Sequence, residues 1–374
     1  MPRTGKNIYK RKDGRWEGRY IKERVNGKAR YGTIYARNYQ EVKKKLEEVK
    51  SQREKRELFS ARAGTVDDFG KQWLLEVAES LKESSAIKYE NLLRCYILPE
   101  FGEDDLSRIT NERFIGFVGR LLKSGGTNGQ GLAPSTVSEV VSVMKGIRIY
   151  AMKRGCLTAF SPECVTVRQN PKKIRVFSLE EEKRLIDYLR NHMDLTCLGI
   201  LLCLFTGIRV GEICALKWDD ISLSEQTMQI GKTMQRLRVE EEVGARTKVK
   251  ISAPKSVCSA RIIPLPDALM ELLSEYYVAG AFFLTGDRDR YIEPRTMQNR
   301  LRRILEASGI QKANFHTTRH TFATRCIEMG FDVKTLSEIL GHASVSITMN
   351  RYVHPSMALK AEHMNRLSEL FVVK

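Results

Sequence analysis

The chain has 374 residues, with 63 Lys and Arg against 45 Asp and Glu and a formal net charge of +18 at neutral pH. At roughly 150 residues per domain this length predicts two or three domains, and the basic balance points to an anionic polymer or an acidic membrane surface as partner. The longest apolar run, Leu198 to Phe205, falls far short of the ~20 residues of a membrane span. No apolar stretch follows the N-terminal Met-Pro-Arg-Thr-Gly-Lys, so neither membrane insertion nor a secretory signal is expected, and cytoplasm is the default location. The eight cysteines are scattered, without a Cys-x-x-Cys pair or ligand-like spacing to histidine. They read as reduced thiols and core fillers, and no metal is assigned.

Residues 1–60 hold 19 Lys and Arg against 8 Asp and Glu, more than half of the net charge in the first sixth of the chain. The segment is not low-complexity. Asn7 to Lys10 reads as a short strand, Asp13-Gly14 and Asn26-Gly27 as turns, and Arg15–Val25 and Tyr31–Tyr35 as strands of two tight hairpins. Tyr39 to about Leu58 is helical, with Val42, Leu46 and Val49 on one stripe. Trp16, Tyr20, Tyr31 and Tyr35 interleave with Arg15, Arg19, Lys22 and Arg30. Alternation would place one set toward the helix and the other on an open face, and a ribbon of this width can enter a DNA major groove. Arg15, Arg19, Lys22 and Arg30 are therefore the candidate DNA-binding residues; a solubilising role for the cations is the competing reading.

Residues 65–155 read as all-helical. Thr65 caps a helix carrying Phe69, Trp73, Leu74 and Val77. A second begins at Ser84 or Ser85, Pro99 and Gly102 break the pattern, Asn111–Leu122 forms a third, and Pro134-Ser135 starts a fourth after a glycine-rich loop. Residues 165–176 read as a linker. Ser178 opens a new helix through a capping box with Glu181, and Leu195–Phe205 is a buried helix. Gln226–Val239 and Val249–Pro264 alternate like strands. Pro266–Tyr277, Thr296–Ala307, Thr317–Met329 and Val333–Leu340 read as helices. There is no internal repeat.

Four short words stand out toward the C-terminal end of the chain. They are Thr206-Gly207-Ile208-Arg209-Val210-Gly211-Glu212; Ala253-Pro254-Lys255 ahead of Arg261-Ile262-Ile263-Pro264-Leu265; His316-Thr317-Thr318-Arg319-His320; and Leu340-Gly341-His342, with Tyr352 ten positions after that histidine. Singly each has an ordinary reading: a structural Arg209–Glu212 pair, a surface lysine, a helix-start histidine, a packing aromatic. In this order and at this distance from the C-terminus they resemble the tyrosine recombinases, or phage-type integrases. The resemblance is strong over residues 178–355 and weaker over the helical segment, and the basic sheet resembles the arm-binding domains of integrases from phages and conjugative transposons.

The resemblance implies a fold class: a multidomain, mainly α protein with small β-sheets. Residues 1–60 would form an arm-site domain (three-stranded sheet plus helix), 65–165 a helical core-site domain, and 175–374 a mixed α+β catalytic domain, the last two closing on DNA as a clamp. It also implies the site. Arg209 and Arg319 would grip the scissile phosphate, since attack builds a phosphorane with extra negative charge and planar guanidinium groups offer it paired donors. Lys255 would be the general acid for the departing 5′ oxygen, His316 a general base or phosphate donor, His342 a hydrogen-bond donor to the phosphate, and Tyr352 the nucleophile. Glu212 would order the arginine pocket behind them. His320, His354 and His363 are read as structural or solvent-facing, and His192 as surface. The histidine-to-tyrosine spacing is ten where many relatives have nine, and Thr318 stands where leucine is commoner.

A phenolate leaves more readily than an alkoxide, so a 3′-phosphotyrosine can be reversed by a DNA 5′ hydroxyl without ATP. The implied partners are double-stranded DNA at core and arm sites, three further copies of the chain in a homotetramer, and accessory DNA-bending or excision proteins. The amphipathic stretch Met357–Leu370 would dock on a neighbouring protomer. A type IB topoisomerase, relaxing DNA as a monomer, and a non-catalytic architectural DNA-binding protein are the rival classes. No cofactor is expected, because protein cations take the place of a catalytic metal ion. Cleavage of a DNA site should accordingly proceed undiminished in excess EDTA; a gel assay in which chelation removes all cleavage would contradict this.

Overall fold

The computed structural model describes residues 7–25, 28–60, 64–126, 128–156, 158–169, 174–238, 247–253, 257–353 and 357–366. The chain divides into two compact units, which meet in sequence between residues 170 and 171. Among the described residues no helix is long and apolar enough to cross a membrane.

The first unit begins with the antiparallel strands β1 (Ile8–Lys10), β2 (Trp16–Val25) and β3 (Lys28–Ala36), in that order across the sheet, followed by α1 (Tyr39–Ser60). Gly14 makes the β1–β2 turn at a φ of 84°, which a side chain would resist. Val42 and Leu46 of α1 pack with Ala36, Ile8, Trp16, Tyr20 and Ile34 into a small core. Period-2 alternation thus sends Trp16 and Tyr20 to the helix side, while Tyr31 and Tyr35 lie exposed on the other face with Tyr9. Glu17, buried on that second face, pairs with Arg11 at 2.9 Å and Arg19 at 2.7 Å.

A separate helical core follows, built by α2 (Val66–Ser80), α3 (Glu83–Leu92), α4 (Leu98–Phe101), α5 (Asn111–Ser124) and α6 (Pro134–Lys153). Thr65 caps α2 as expected, in a capping box with Asp68. Two expectations fail here. Lys82, not Ser84 or Ser85, is the cap position of α3. Pro99 also does not break the helix: α3 runs through a π-helical stretch, Leu93–Ile97, directly into α4, where Pro99 sits in the first turn. The proline follows directly on the π-helical turn, where the regular i→i−4 ladder is already interrupted. Phe101, Phe114, Phe117 and Phe160 fill this core, the Phe101 and Phe117 rings meeting edge to face at 4.9 Å.

The second unit is mixed. It contains α7 (Leu179–Asn191), α8 (Leu195–Thr206), α9 (Val210–Ala215), β4 (Ile221–Ser222), β5 (Thr227–Ile230), β6 (Thr233–Arg238), β7 (Thr247–Ser252) and β8 (Arg261–Pro264). Then come α10 (Asp267–Glu275), α11 (Pro294–Ala307), α12 (His316–Glu328), α13 (Val333–Leu340), α14 (Val345–Tyr352) and α15 (Met357–Arg366). The Ser178–Glu181 capping box starts α7 as expected. The two long alternating runs are each interrupted and form four strands, β5 and β6 from the first, β7 and β8 from the second; β4 joins β5 and β8 in one sheet, and β6 pairs with β7 in the other. α8 is apolar all round and nearly every residue from Thr196 to Thr206 is buried, so it forms the centre of the core.

The small N-terminal core leaves no room at Gly18. A Cβ there would stand 2.6 Å from Leu46 Cδ1 and 2.7 Å from Val42 Cγ1. Gly18→Val should cost about 1–3 kcal/mol of local stability by overpacking. Hydrogen exchange should then lose protection in β2 while α6 keeps its own.

Candidate active site

The site is assembled where helices end. α8 stops at Gly207, whose φ of 65° is left-handed; a Cβ there would also stand 2.5 Å from Phe322. α13 stops in the same way at Gly341. Both helix ends leave carbonyl oxygens without intrahelical partners. Arg319, on α12 and only 1% exposed, supplies them: its Nη1 donates to Gly207 O and its Nη2 to Leu340 O, each at 2.7 Å. Burial and neighbouring Arg209 push its guanidinium down to about 9, which leaves it charged at neutral pH.

Arg209 follows Gly207 by two residues and caps α9. Its Nη1 meets Glu212 Oε1 at 2.7 Å, its Nη2 donates to Gly341 O at 3.2 Å, and its backbone N–H donates to Glu212 Oε2 at 2.9 Å. Glu212 is buried and shared. Arg261, at the start of β8, approaches the same carboxylate at 3.2 and 3.0 Å and also donates from Nε to Ile339 O at 2.5 Å. Burial pushes the Glu212 carboxyl up, but the bond and charge of Arg261 together with Arg209 outweigh it and hold the group below its ordinary range.

His316, Arg319 and His320 lie at i, i+3 and i+4 on α12, so they share one helix face. The His316 and His320 rings meet edge to face at 4.7 Å. Tyr352, the last residue of α14, is 7% exposed, and its hydroxyl lies 2.8 Å from His320 Nδ1. His342, just past α13, bonds through Nδ1 to the buried Thr348 hydroxyl at 2.8 Å, and its ring lies parallel to that of Tyr352 within 5°. Burial, reinforced by surrounding cations, lowers His316 to about 4, His320 to about 4 and His342 to about 3. All three imidazoles are therefore neutral at pH 7. Burial raises the Tyr352 phenol, against the pull of Arg319 and Arg351.

The structure thus brings Arg209, Glu212, His316, Arg319, His342 and Tyr352 together. Lys255 lies outside the described residues, as do His354 and the side chains of Lys22, Arg30 and His363. Arg15 and Arg19 belong to the first unit; both are exposed and ion-paired, Arg15 to Asp13 at 2.8 Å and Arg19 to Glu17 at 2.7 Å. His192 is at the surface as expected, bonded to Tyr188 O. His320 is half-buried rather than solvent-facing, and it touches the Tyr352 hydroxyl. Its i+4 spacing from His316 was the available signal. Arg261, given no role from sequence, is the second residue missed; its partners lie too far along the chain for any local pattern to show them.

Guanidinium groups converging near a buried tyrosine hydroxyl define a site built for a phosphate ester. The Phage integrase family model matches residues 175–358, and the model of the phage integrase N-terminal SAM-like domain matches residues 65–122. A "Tyrosine recombinase XerC-like" protein of Caldanaerobacter subterraneus subsp. tengcongensis is 29% identical over 336 residues, covering 82% of this chain and 84% of the relative. Transposase A from transposon Tn554 of Staphylococcus aureus is 31% identical over 201 residues, 53% of each chain. Among solved structures, the Tn1549 transposon integrase in complex with a circular intermediate DNA superposes with a TM-score of 0.65 at 18% identity, covering 81% of this chain and 99% of that one. A lambda integrase tetramer bound to a Holliday junction gives 0.59 at 15% identity, covering 94% and 98%. The chain belongs to the tyrosine recombinase family of phage-type integrases.

Glu212→Gln leaves the buried Arg261 and the half-buried Arg209 with a neutral partner, and should cost about 3–5 kcal/mol of stability by analogy with broken buried ion pairs. The folded carboxyl is held below the ordinary value of 4.5, so its contribution is complete above that pH and is lost as pH falls through the folded value. Denaturation at several pH values should show this acid-side loss in the wild type. The variant should lack that component.

Proposed function

We propose that the protein is a site-specific DNA recombinase that integrates or excises a mobile element, cutting and rejoining DNA through a 3′-phosphotyrosine at Tyr352. The observation that carries this is a buried tyrosine hydroxyl 2.8 Å from His320, the neighbour of Arg319 on α12, while Arg319 and Arg209 donate to the adjacent carbonyls of Leu340 and Gly341. Arg209 and Arg319 would hold the scissile phosphate, with Glu212 fixing Arg209 from behind. His316 and His342 would bond phosphate oxygens, and Lys255 would protonate the departing 5′ oxygen. The neutral imidazoles leave the arginines as the charges that meet the phosphate and the added charge of the phosphorane.

In this reading residues 175–374 carry the chemistry, residues 65–165 bind the core site, and residues 1–60 bind arm sites through the open face of the β1–β3 sheet. Arg15 would exchange its exposed ion pair with Asp13 for a DNA phosphate at little cost, since such pairs contribute only about 0–1 kcal/mol; Arg19, Lys22 and Arg30 would join it. The substrate is double-stranded DNA, the working assembly is a tetramer on two sites, and the location is the cytoplasm. The relatives support this: they include a tyrosine recombinase, a transposase and, from Staphylococcus phage L54a, an integrase.

A DNA site nicked near the crossover position loses the short 5′-hydroxyl strand after cleavage and so traps the covalent intermediate. Wild-type protein should become linked to the 3′ phosphate of such a substrate. Tyr352→Phe should form no adduct while binding the same DNA undiminished. An adduct in that variant would refute the assignment of the nucleophile, and a wild type that relaxes supercoils without site preference would favour a topoisomerase.

A further inference from the structure

A nucleophilic tyrosine must lose its proton as its oxygen bonds to phosphorus, and the proton needs an acceptor within hydrogen-bond reach. His316 was the sequence's candidate for that role, yet the imidazole 2.8 Å from the Tyr352 hydroxyl is His320. Helix geometry sets this arrangement. His320 is one turn beyond His316 on α12, and the last residue of α14 packs against that position, with the His320 and Tyr352 rings 5.7 Å apart. The His316 ring meets that of His320 edge to face at 4.7 Å.

We infer that His320 is a catalytic residue, the acceptor of the Tyr352 hydroxyl proton during strand cleavage and its donor during rejoining. The inference rests on the recombinase reading above. A neutral imidazole with its hydrogen on Nε2 presents the Nδ1 lone pair to the hydroxyl. As the phenolic oxygen bonds to phosphorus, the O–H bond breaks, the proton moves to Nδ1, and the bond from phosphorus to the 5′ oxygen breaks, that oxygen taking a proton from a separate acid. In the reverse step a 5′ hydroxyl attacks the phosphotyrosine, and the imidazolium returns its proton to the leaving phenolate. His316 is then left to face the phosphate. The environment keeps His320 unprotonated before substrate arrives, through burial first and then His316, Arg351 and Arg319. An incoming phosphate partly cancels the two guanidinium charges and makes the imidazole a stronger base as the reaction starts.

Single-turnover adduct formation on nicked DNA tests this, using paired substrates with oxygen or sulfur as the bridging 5′ atom. A thiolate leaves without needing a proton, so the sulfur substrate corrects a missing acid but not a missing base. His320→Ala and His320→Gln should bind DNA as the wild type does and cleave both substrates slower by about 100-fold or more. Added imidazole should accelerate His320→Ala in proportion to its free base, a response a misfolded protein would not give. Wild-type rates in either variant, or a defect that disappears on the sulfur substrate, would overturn the assignment. Wild-type protein on the same DNA separates the two claims: without a wild-type adduct the recombinase reading itself fails, whereas equal adducts from wild type and variants sink only the role of His320.

Discussion

The site is organised around one buried charge. The Arg319 guanidinium is held between the C-terminal carbonyls of α8 and α13, at Gly207 and Leu340. Desolvating such a group costs several kcal/mol. Two helix C-termini aimed at it offset this, because each presents unsatisfied acceptors and the negative end of a helix dipole. The arrangement fixes three helices relative to one another, and the other functional residues are measured from it. Arg209 comes two residues after Gly207, His342 two after Leu340, and His316 and His320 lie within a turn of Arg319 on its own helix. Both left-handed glycines serve the same purpose: they turn the chain away sharply enough to leave the carbonyls open to the guanidinium.

Charge balance then decides what the pocket accepts. Glu212 is shared by Arg209 and Arg261, so one carboxylate faces two guanidinium groups while Arg319 is held by neutral carbonyls. The histidines add no positive charge, since burial and the arginines keep all three neutral. The pocket therefore carries an excess of fixed, already desolvated cations. A phosphodiester entering it meets donors that need little reorganisation, which is the condition under which electrostatic stabilisation of a transition state is largest. The same excess opposes the burial that keeps Tyr352 protonated.

How much of this was legible in the sequence follows the range of each interaction. The helices and their caps at Thr65 and Ser178 are local, and they fall where composition and spacing place them. The four words were legible because each sits at a helix end or strand start, where function and turn chemistry share a few adjacent residues. Arg261 gave no signal of its role, because its partners Glu212 and Ile339 lie 49 and 78 positions away. His320 was different: its face is fixed by α-helical geometry once His316 is placed, and reading the word residue by residue instead of by helix face hid it. Pro99 misled for a related reason, since a proline's effect depends on the turn before it, here a π-helical one.

The same residue types do two kinds of work in this chain, and burial separates them. Arg15 and Arg19 are exposed and paired with Asp13 and Glu17 on the open face of the N-terminal sheet. The Arg15–Asp13 pair, exposed on both sides, is weak, screened by salt within about 8–10 Å and readily exchanged for other anions. Arg319 and Glu212 are buried, so removing either partner of their contacts strands a charge where water cannot reach it. Ionic strength therefore acts on the sheet and leaves the geometry around Tyr352 in place. Exposed cations can trade one anion for another at low cost, whereas the buried ones hold a fixed geometry.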